Sequence, residues 1–274
     1  MTSILLFIGL CVGVVALAIA RHYYSKKSAK RRSYQGLEGS KQLIELIKLT
    51  QQHRGMHSGF LNGQTEFSSK LDSLKADISH RYNTLLRLEE TLNYPKQLSC
   101  QFQYIQWQKL IRDSALSSAQ SFQIHSRLIA RLLDGLWDMS DEFALTSSQD
   151  DTVRALAQQY IKTLPNIAEA LGQIRALSVQ VAAKHTLSSD KKLQLLFTLG
   201  KVDAHIDHLD QSHALQDKQK IRDFVEQIRK KTDSKELVNS QPEALFKDAT
   251  LIIDGVFALI FTGVDTLQKK IHLS

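Results

Sequence analysis

LIELIKLTQQHRGMHSGF, residues Leu43 to Phe60, is the stretch whose reading decides the fold. Its first half is an amphipathic helix, because Leu43, Ile44, Leu46, Ile47 and Thr50 keep the 3.6-residue rhythm of a buried stripe. Then His53, Arg54, Gly55, Met56, His57, Ser58 and Gly59 stand where apolar residues should continue. A guanidinium on a buried stripe is unfavourable unless an anion pairs with it. Arg54 therefore has two readings. Either it faces solvent or an internal carboxylate such as Glu45 or Asp77, or it holds an anionic ligand.

Working outward, no alternating Val/Ile/Thr run bounded by turn residues occurs, so no strand is expected. The pattern predicts helices over Leu37 to Leu61, stopped by Asn62-Gly63, and over Phe67 to Leu92, ended by Asn93-Tyr94-Pro95. Leu98 to Met139 reads as one long helix or as two joined near Ser117-Ser118. Its inward positions are Phe102, Ile105, Leu110, Leu116, Phe122, Ile129, Leu132, Leu133 and Leu136. Ser140 to Asp150 reads as a loop with Ser147, Ser148 and Asp150 available as caps. Val153 to Lys184 is helical with a kink or break at Leu164, before Pro165. Helices over Lys191 to Leu209 and Leu215 to Thr232 follow. The last helix opens at Pro242 and is apolar nearly all round, from Leu251 and Ile252 to Ile253 and Phe257, which reads as a central core helix. The fold class is all-α, a long-helix bundle of about seven helices behind one N-terminal transmembrane helix.

That membrane helix is Ser3 to Ala20, 18 residues without a charge. At ~1.5 Å per residue it nearly covers a hydrocarbon core of roughly 30 Å. No Lys or Arg precedes it, which argues against a cleaved signal, and Leu10 before Cys11 argues against lipoprotein processing. Arg21, Lys26, Lys27, Lys30, Arg31 and Arg32 follow it directly, so the positive-inside rule predicts a single-pass inner-membrane protein with its C-terminal domain in the cytoplasm. The expected division is an anchor at 3–20, a basic juxtamembrane linker at 21–39 that touches anionic lipid through residues 21–32, and a helical domain at 40–274. Those six cations carry most of the net charge of +7, which leaves the rest almost neutral and predicts no nucleic-acid partner. Two cysteines, Cys11 and Cys100, give no disulfide framework.

Enzyme signatures are lacking: no glycine-rich phosphate loop, Cys-x-x-Cys, His-Glu-x-x-His or Gly-x-Ser-x-Gly is present. Asp203, His205, Asp207, His208, Asp210 and His213 form a polar cluster in which His205 and His208 share a helix face. Lacking an obvious third ligand, it reads as a hydrated surface. No catalytic residue, metal ligand or cofactor is expected.

Three segments resemble one family. Gln51-Gln52-His53-Arg54-Gly55 is similar to the Gln-x-Glu-Arg-Gly element of nitrate- and nitrite-sensing (NIT) domains. Glu169-Ala-Leu-Gly-Gln-Ile-Arg175-Ala-Leu-Ser with Leu187-Ser-Ser-Asp resembles their middle helix, and Pro242 through Asp254 their closing helix. The resemblance implies two packed helical bundles enclosing nitrate or nitrite, with Arg54 and Arg175 as ligands and no catalysis. A flat guanidinium suits a flat monoanion. His53 replaces the family's Glu, changes the charge beside the site and is a further candidate ligand. Arg112, Arg127 and Arg131 are candidates for the rest of the pocket. Family members usually carry an output module, and here the sequence ends at Ser274, so output is expected through a protein partner or a homodimer. The alternative is a membrane-tethered helical scaffold with no small-molecule ligand.

Overall fold

The structure is a computed structural model. It describes residues 2–92, 94, 100–207, 209 and 211–273, without the side chains of 2–6 and 211–216. Asn93, Pro95, Leu98, His208, Asp210 and the side chains of His213 and Leu215 lie outside the described residues. The elements are α1 (Thr2–Leu61), α2 (Ser68–Leu92), α3 (Cys100–Arg112), α4 (Ser118–Glu142), α5 (Asp151–Ala157), α6 (Leu164–Lys184), α7 (Ser189–Ile206), α8 (Gln211–Asp233) and α9 (Pro242–Leu273). Among the described residues there is no strand.

Helix α1 packs against α2 and α4, which α3 bridges, while α6 packs against α7 and α9, which α8 bridges. These are two four-helix groups. They join where α1 meets α6 and α9 and where α4 meets α6, and one continuous apolar core runs through both. The stretch Leu43 to Phe60 behaves as its pattern requires: Leu43, Ile44, Leu46, Ile47 and Thr50 are buried, and so are Gln51, His53 and Arg54 on the same stripe. Polar residues thus take over the inward face of α1 where the two groups meet.

Two features depart from the expected element pattern. The segment 21–39, expected as a polar connection, is helical, because α1 runs unbroken from Thr2 to Leu61. Gly36 and Gly39 are close-approach positions: a Cβ at Gly36 would lie 2.2 Å from Phe143 Cβ, and one at Gly39 2.7 Å from Met139 Cε. A glycine inside a helix is ambiguous in sequence, and here it admits a neighbour. Residues 7–29 of α1 are exposed throughout, and α1 is long and apolar enough there to cross a membrane. Lys30 and Arg32, counted among the lipid-facing cations, instead meet the bundle, at the His272 carbonyl and the Glu142 carboxylate.

The second departure is on α3, where Phe102 is 61% and Ile105 38% exposed. The buried stripe is Cys100, Gln103, Trp107 and Leu110, centred on the large Trp107 ring. Leu251 on α9 likewise faces outward. The break near Ser117 is present, with a reciprocal capping box between Ser117 and Gln120. Asp150 caps α5 through the backbone N–H groups of Thr152 and Val153. Pro165 is absorbed without a break: a π-helical turn, Gln158–Thr163, precedes it, and Pro165 falls in the first turn of α6, where its missing N–H is harmless. The chain leaves α1 through Gly63 at φ +100°, a conformation that glycine takes without strain.

Candidate functional site

The site lies where α1 crosses α6, and the crossing is reciprocal. Arg54 of α1 lies over Gly172 of α6, where a Cβ would come 2.7 Å from Arg54 Nη2. Arg175 of α6 lies over Gly55 of α1, where a Cβ would come 3.0 Å from Arg175 Nη2. Each helix supplies an arginine and the small residue that makes room for the other's.

The two guanidinium groups have different partners. Arg54 is fully buried and donates to both oxygens of Glu169, Nη1 to Oε1 at 2.6 Å and Nη2 to Oε2 at 3.2 Å. Nη1 also donates to Ser126 Oγ at 3.0 Å, and the Phe122 ring lies 5.3 Å from Cζ. Glu169 accepts further bonds from Gln51 Nε2 at 2.9 Å and Gln173 Nε2 at 2.8 Å, so its carboxylate is saturated. The internal carboxylate expected for Arg54 exists, but it comes from α6. Asp77 is exposed on α2, and Glu45 is only partly buried, two turns earlier on α1.

Arg175 is 4% exposed and meets neutral partners: it donates to Thr250 Oγ1 at 2.9 Å and to the Gln51 carbonyl at 3.4 Å, with the Phe246 ring 4.7 Å from Cζ. Among the described residues no carboxylate lies within ion-pair distance of it. Burial, and then the nearby Arg54 charge, push its pKa down to about 10, with Asp254 and Glu169 opposing. A cavity of about 280 Å³ opens beside it, lined by Gly55, Gly59, Phe67, Arg175, Pro242 and Phe246 among others. A second, of about 240 Å³, lies on the other side of Ser58, Ala176 and Gln180, towards Lys191 and Lys201.

His53, next to Arg54, points away from Arg175 towards α4. Its Nδ1 is 2.8 Å from His125 Nε2, and the two rings stack. Burial first, then the neighbouring His125, His57 and Lys75, push its pKa down to about 2, and burial takes His125 to about 3. His57 is shifted down as well, chiefly by burial. His53 is therefore a neutral ring in a histidine cluster and no cationic donor at neutral pH.

The structure brings Arg54, Arg175 and His53 into one neighbourhood, and leaves Arg112, Arg127 and Arg131 outside it. All three are exposed, with Arg127 and Arg131 on a separate hollow shared with Phe102 and Lys109. In the polar cluster at the end of α7, Asp203 and Asp207 pair with Arg229 and Arg222 of α8. Sequence reasoning missed the roles of Glu169, Gln51, Ser126 and Thr250. Glu169, Gln51 and Thr250 lie inside the segments that carry the family resemblance, which was a usable signal. Ser126 and His125 had none, since they are neighbours of α1 only in space.

Comparison with known proteins bears on the fold and the family. A search of curated proteins returned no match. The structure of the NasR transcription antiterminator superposes with a TM-score of 0.59 at 15% identity, over 93% of this chain and 82% of that one, which shows a shared fold. The family model described as nitrate and nitrite sensing matches residues 45–260, from the buried stripe of α1 to the middle of α9. The chain belongs to the nitrate and nitrite sensing (NIT) family.

Proposed function

We propose that this chain is a membrane-anchored, non-enzymatic sensor that binds nitrate or nitrite at the α1–α6 crossing. The observation that carries the reading is Arg175: a buried guanidinium with neutral partners beside a cavity. A buried cation without a counter-ion is costly, and a small anion in the cavity removes that penalty while forming charge-assisted hydrogen bonds. Arg54 supports the reading differently. Its charge is balanced by Glu169, so it takes a ligand only if the carboxylate yields.

Arg175 links α6 to α9 through Thr250 and to α1 through Gln51. An anion that draws the guanidinium into the cavity loosens those bonds, which makes helix packing the response to ligand. The shift is limited by the difference in affinity between the two packings. Residues 3–20 are the anchor in this reading, with Arg21, Lys26, Lys27 and Arg31 at the lipid surface, the bundle on the cytoplasmic side and output through a protein partner or homodimer. The saturated Arg54–Glu169 pair favours a second reading, a tethered scaffold without a ligand.

Thermal unfolding in nitrate, nitrite and matched chloride tests the proposal. At 100 times its Kd a ligand adds ~2.7 kcal/mol to stability, a shift of roughly 5–11 °C for a domain of this size. A shift specific to nitrate or nitrite, and absent in Arg175→Ala, is expected. Equal shifts with chloride, or a specific shift that survives Arg175→Ala, refute it. For the orientation, a C-terminal fluorescent-protein fusion should fluoresce and an alkaline phosphatase fusion should be inactive.

A further inference from the structure

Beside the arginine crossing three imidazoles converge: His53 and His57, one turn apart on α1, and His125 on α4. One nitrogen from each lies within 4.8 Å of the other two. Their tautomers follow from their partners. The Ser121 carbonyl can only accept, so His125 Nδ1, 2.7 Å away, carries a proton. His125 Nε2 is then a lone pair, and the 2.8 Å contact requires the proton on His53 Nδ1. His53 Nε2 is left with an electron pair, buried and without a partner. Leaving such an acceptor unsatisfied is unfavourable, and burial opposes relief by protonation.

We propose that His53, His57 and His125 form a binding site for a first-row divalent transition metal of the Zn(II) type. Two histidines at i and i+4 on one helix face have metal-ligand spacing, and neutral imidazole suits zinc and its neighbours in the series. Ser121 supplies the outer support. Its carbonyl fixes the His125 tautomer so that Nε2 is the ligating atom, and its hydroxyl is 2.8 Å from His57 Nδ1. The nearby cations are neutralised, Lys75 by Asp72 at 3.0 Å and Arg54 by Glu169. Three protein nitrogens leave a fourth position open. Ligation by His125 Nε2 displaces the hydrogen bond it now accepts from His53 Nδ1 at 2.8 Å, and His53 ligates through its unpartnered Nε2. The two rings therefore turn relative to one another on binding. The site stands independently of anion binding by Arg175.

The full chain in detergent, stripped with a chelator, is dialysed against Zn(II) and separately against Co(II). The expected result is one ion per chain, a raised melting temperature, and visible Co(II) absorption bands of a nitrogen-ligated ion. His57→Ala, at a half-buried position, should weaken binding by more than about tenfold. His125→Gln should do the same, and His205→Ala should leave binding intact. If His125→Gln does not fold, His57→Ala decides. Absence of stoichiometric uptake overturns the proposal, and the cluster is then a hydrogen-bonded chain beside the Trp107 indole. Uptake that survives loss of His57 overturns it too, by putting the metal elsewhere.

Discussion

Replacing Glu169 by Gln tests the centre of the structure. The carboxylate accepts four hydrogen bonds, two from Arg54 and one each from Gln51 and Gln173, and is 6% exposed. An amide in its place turns one acceptor into a donor facing donors and leaves the Arg54 charge uncompensated. Breaking one side of a buried ion pair destabilises by ~3–5 kcal/mol, which for a domain of this size lowers the melting temperature by roughly 6–20 °C. Denaturant titration of the wild type, Glu169→Gln, Arg54→Met and the double variant gives the coupling. The double variant should be more stable than Glu169→Gln alone, because a neutral pair of similar volume leaves no buried charge. A loss below ~1 kcal/mol in Glu169→Gln, or additive losses in the double variant, would refute the account of Arg54 as a buried, paired cation. The same variant separates two anion geometries. If Glu169 sits where an anion would contact Arg54, nitrate should stabilise Glu169→Gln more than the wild type, whereas binding at Arg175 alone predicts an equal increment.

Other consequences are open to measurement. His53 and His125 are neutral in the fold, with pKa values of about 2 and about 3 against the ordinary 6.5. The unfolded chain therefore binds more protons below pH 6.5, and stability is complete above that pH and falls as the solution is acidified. In chelator-treated protein the loss at pH 5 should be roughly 2 kcal/mol for each ring, and His125→Gln should flatten the dependence; an unchanged slope contradicts the buried neutral cluster. Gly263→Ala puts a Cβ 2.1 Å from Tyr160 Cδ1, a buried ring on the π-turn, and should destabilise by ~1–3 kcal/mol in chemical denaturation, where a neutral result would mean that α9 and the π-turn are not so closely packed. Gly172→Ala meets Arg54 Nη2 at 2.7 Å and should lower both stability and any nitrate-specific thermal shift, while equal effects in chloride would confine its role to packing.

Most of the fold was legible in the sequence because it is written in local patterns. The 3.6-residue stripe of α1, the Asn62-Gly63 stop, the join near Ser117, the cap candidates that include Asp150 and the Pro242 start each depend on residues within a turn or two of one another. The all-helical class follows from them, and so does the family, since the short segments around Arg54, Arg175 and Pro242 keep their order along the chain. What those patterns leave open is which helix lies against which. Gly36 reads equally well as linker or as packing notch until Phe143 is set beside it, and the Phe102 and Trp107 stripes on α3 compete until the neighbouring helices select one. The site shows the same division. Sequence singles out a buried arginine at 54 in need of an anion, and the family resemblance adds a second at 175, but the carboxylate that satisfies the first comes from 115 residues away along the chain. Only the crossing of α1 and α6 decides that Arg54 is already paired and Arg175 is not. His57 could be seen one turn from His53, yet His125 joins them solely because α4 packs on α1. Periodicity specifies a helix and its inward face; charge pairing and ligand geometry belong to contacts between helices, and those exist only once the chain has folded.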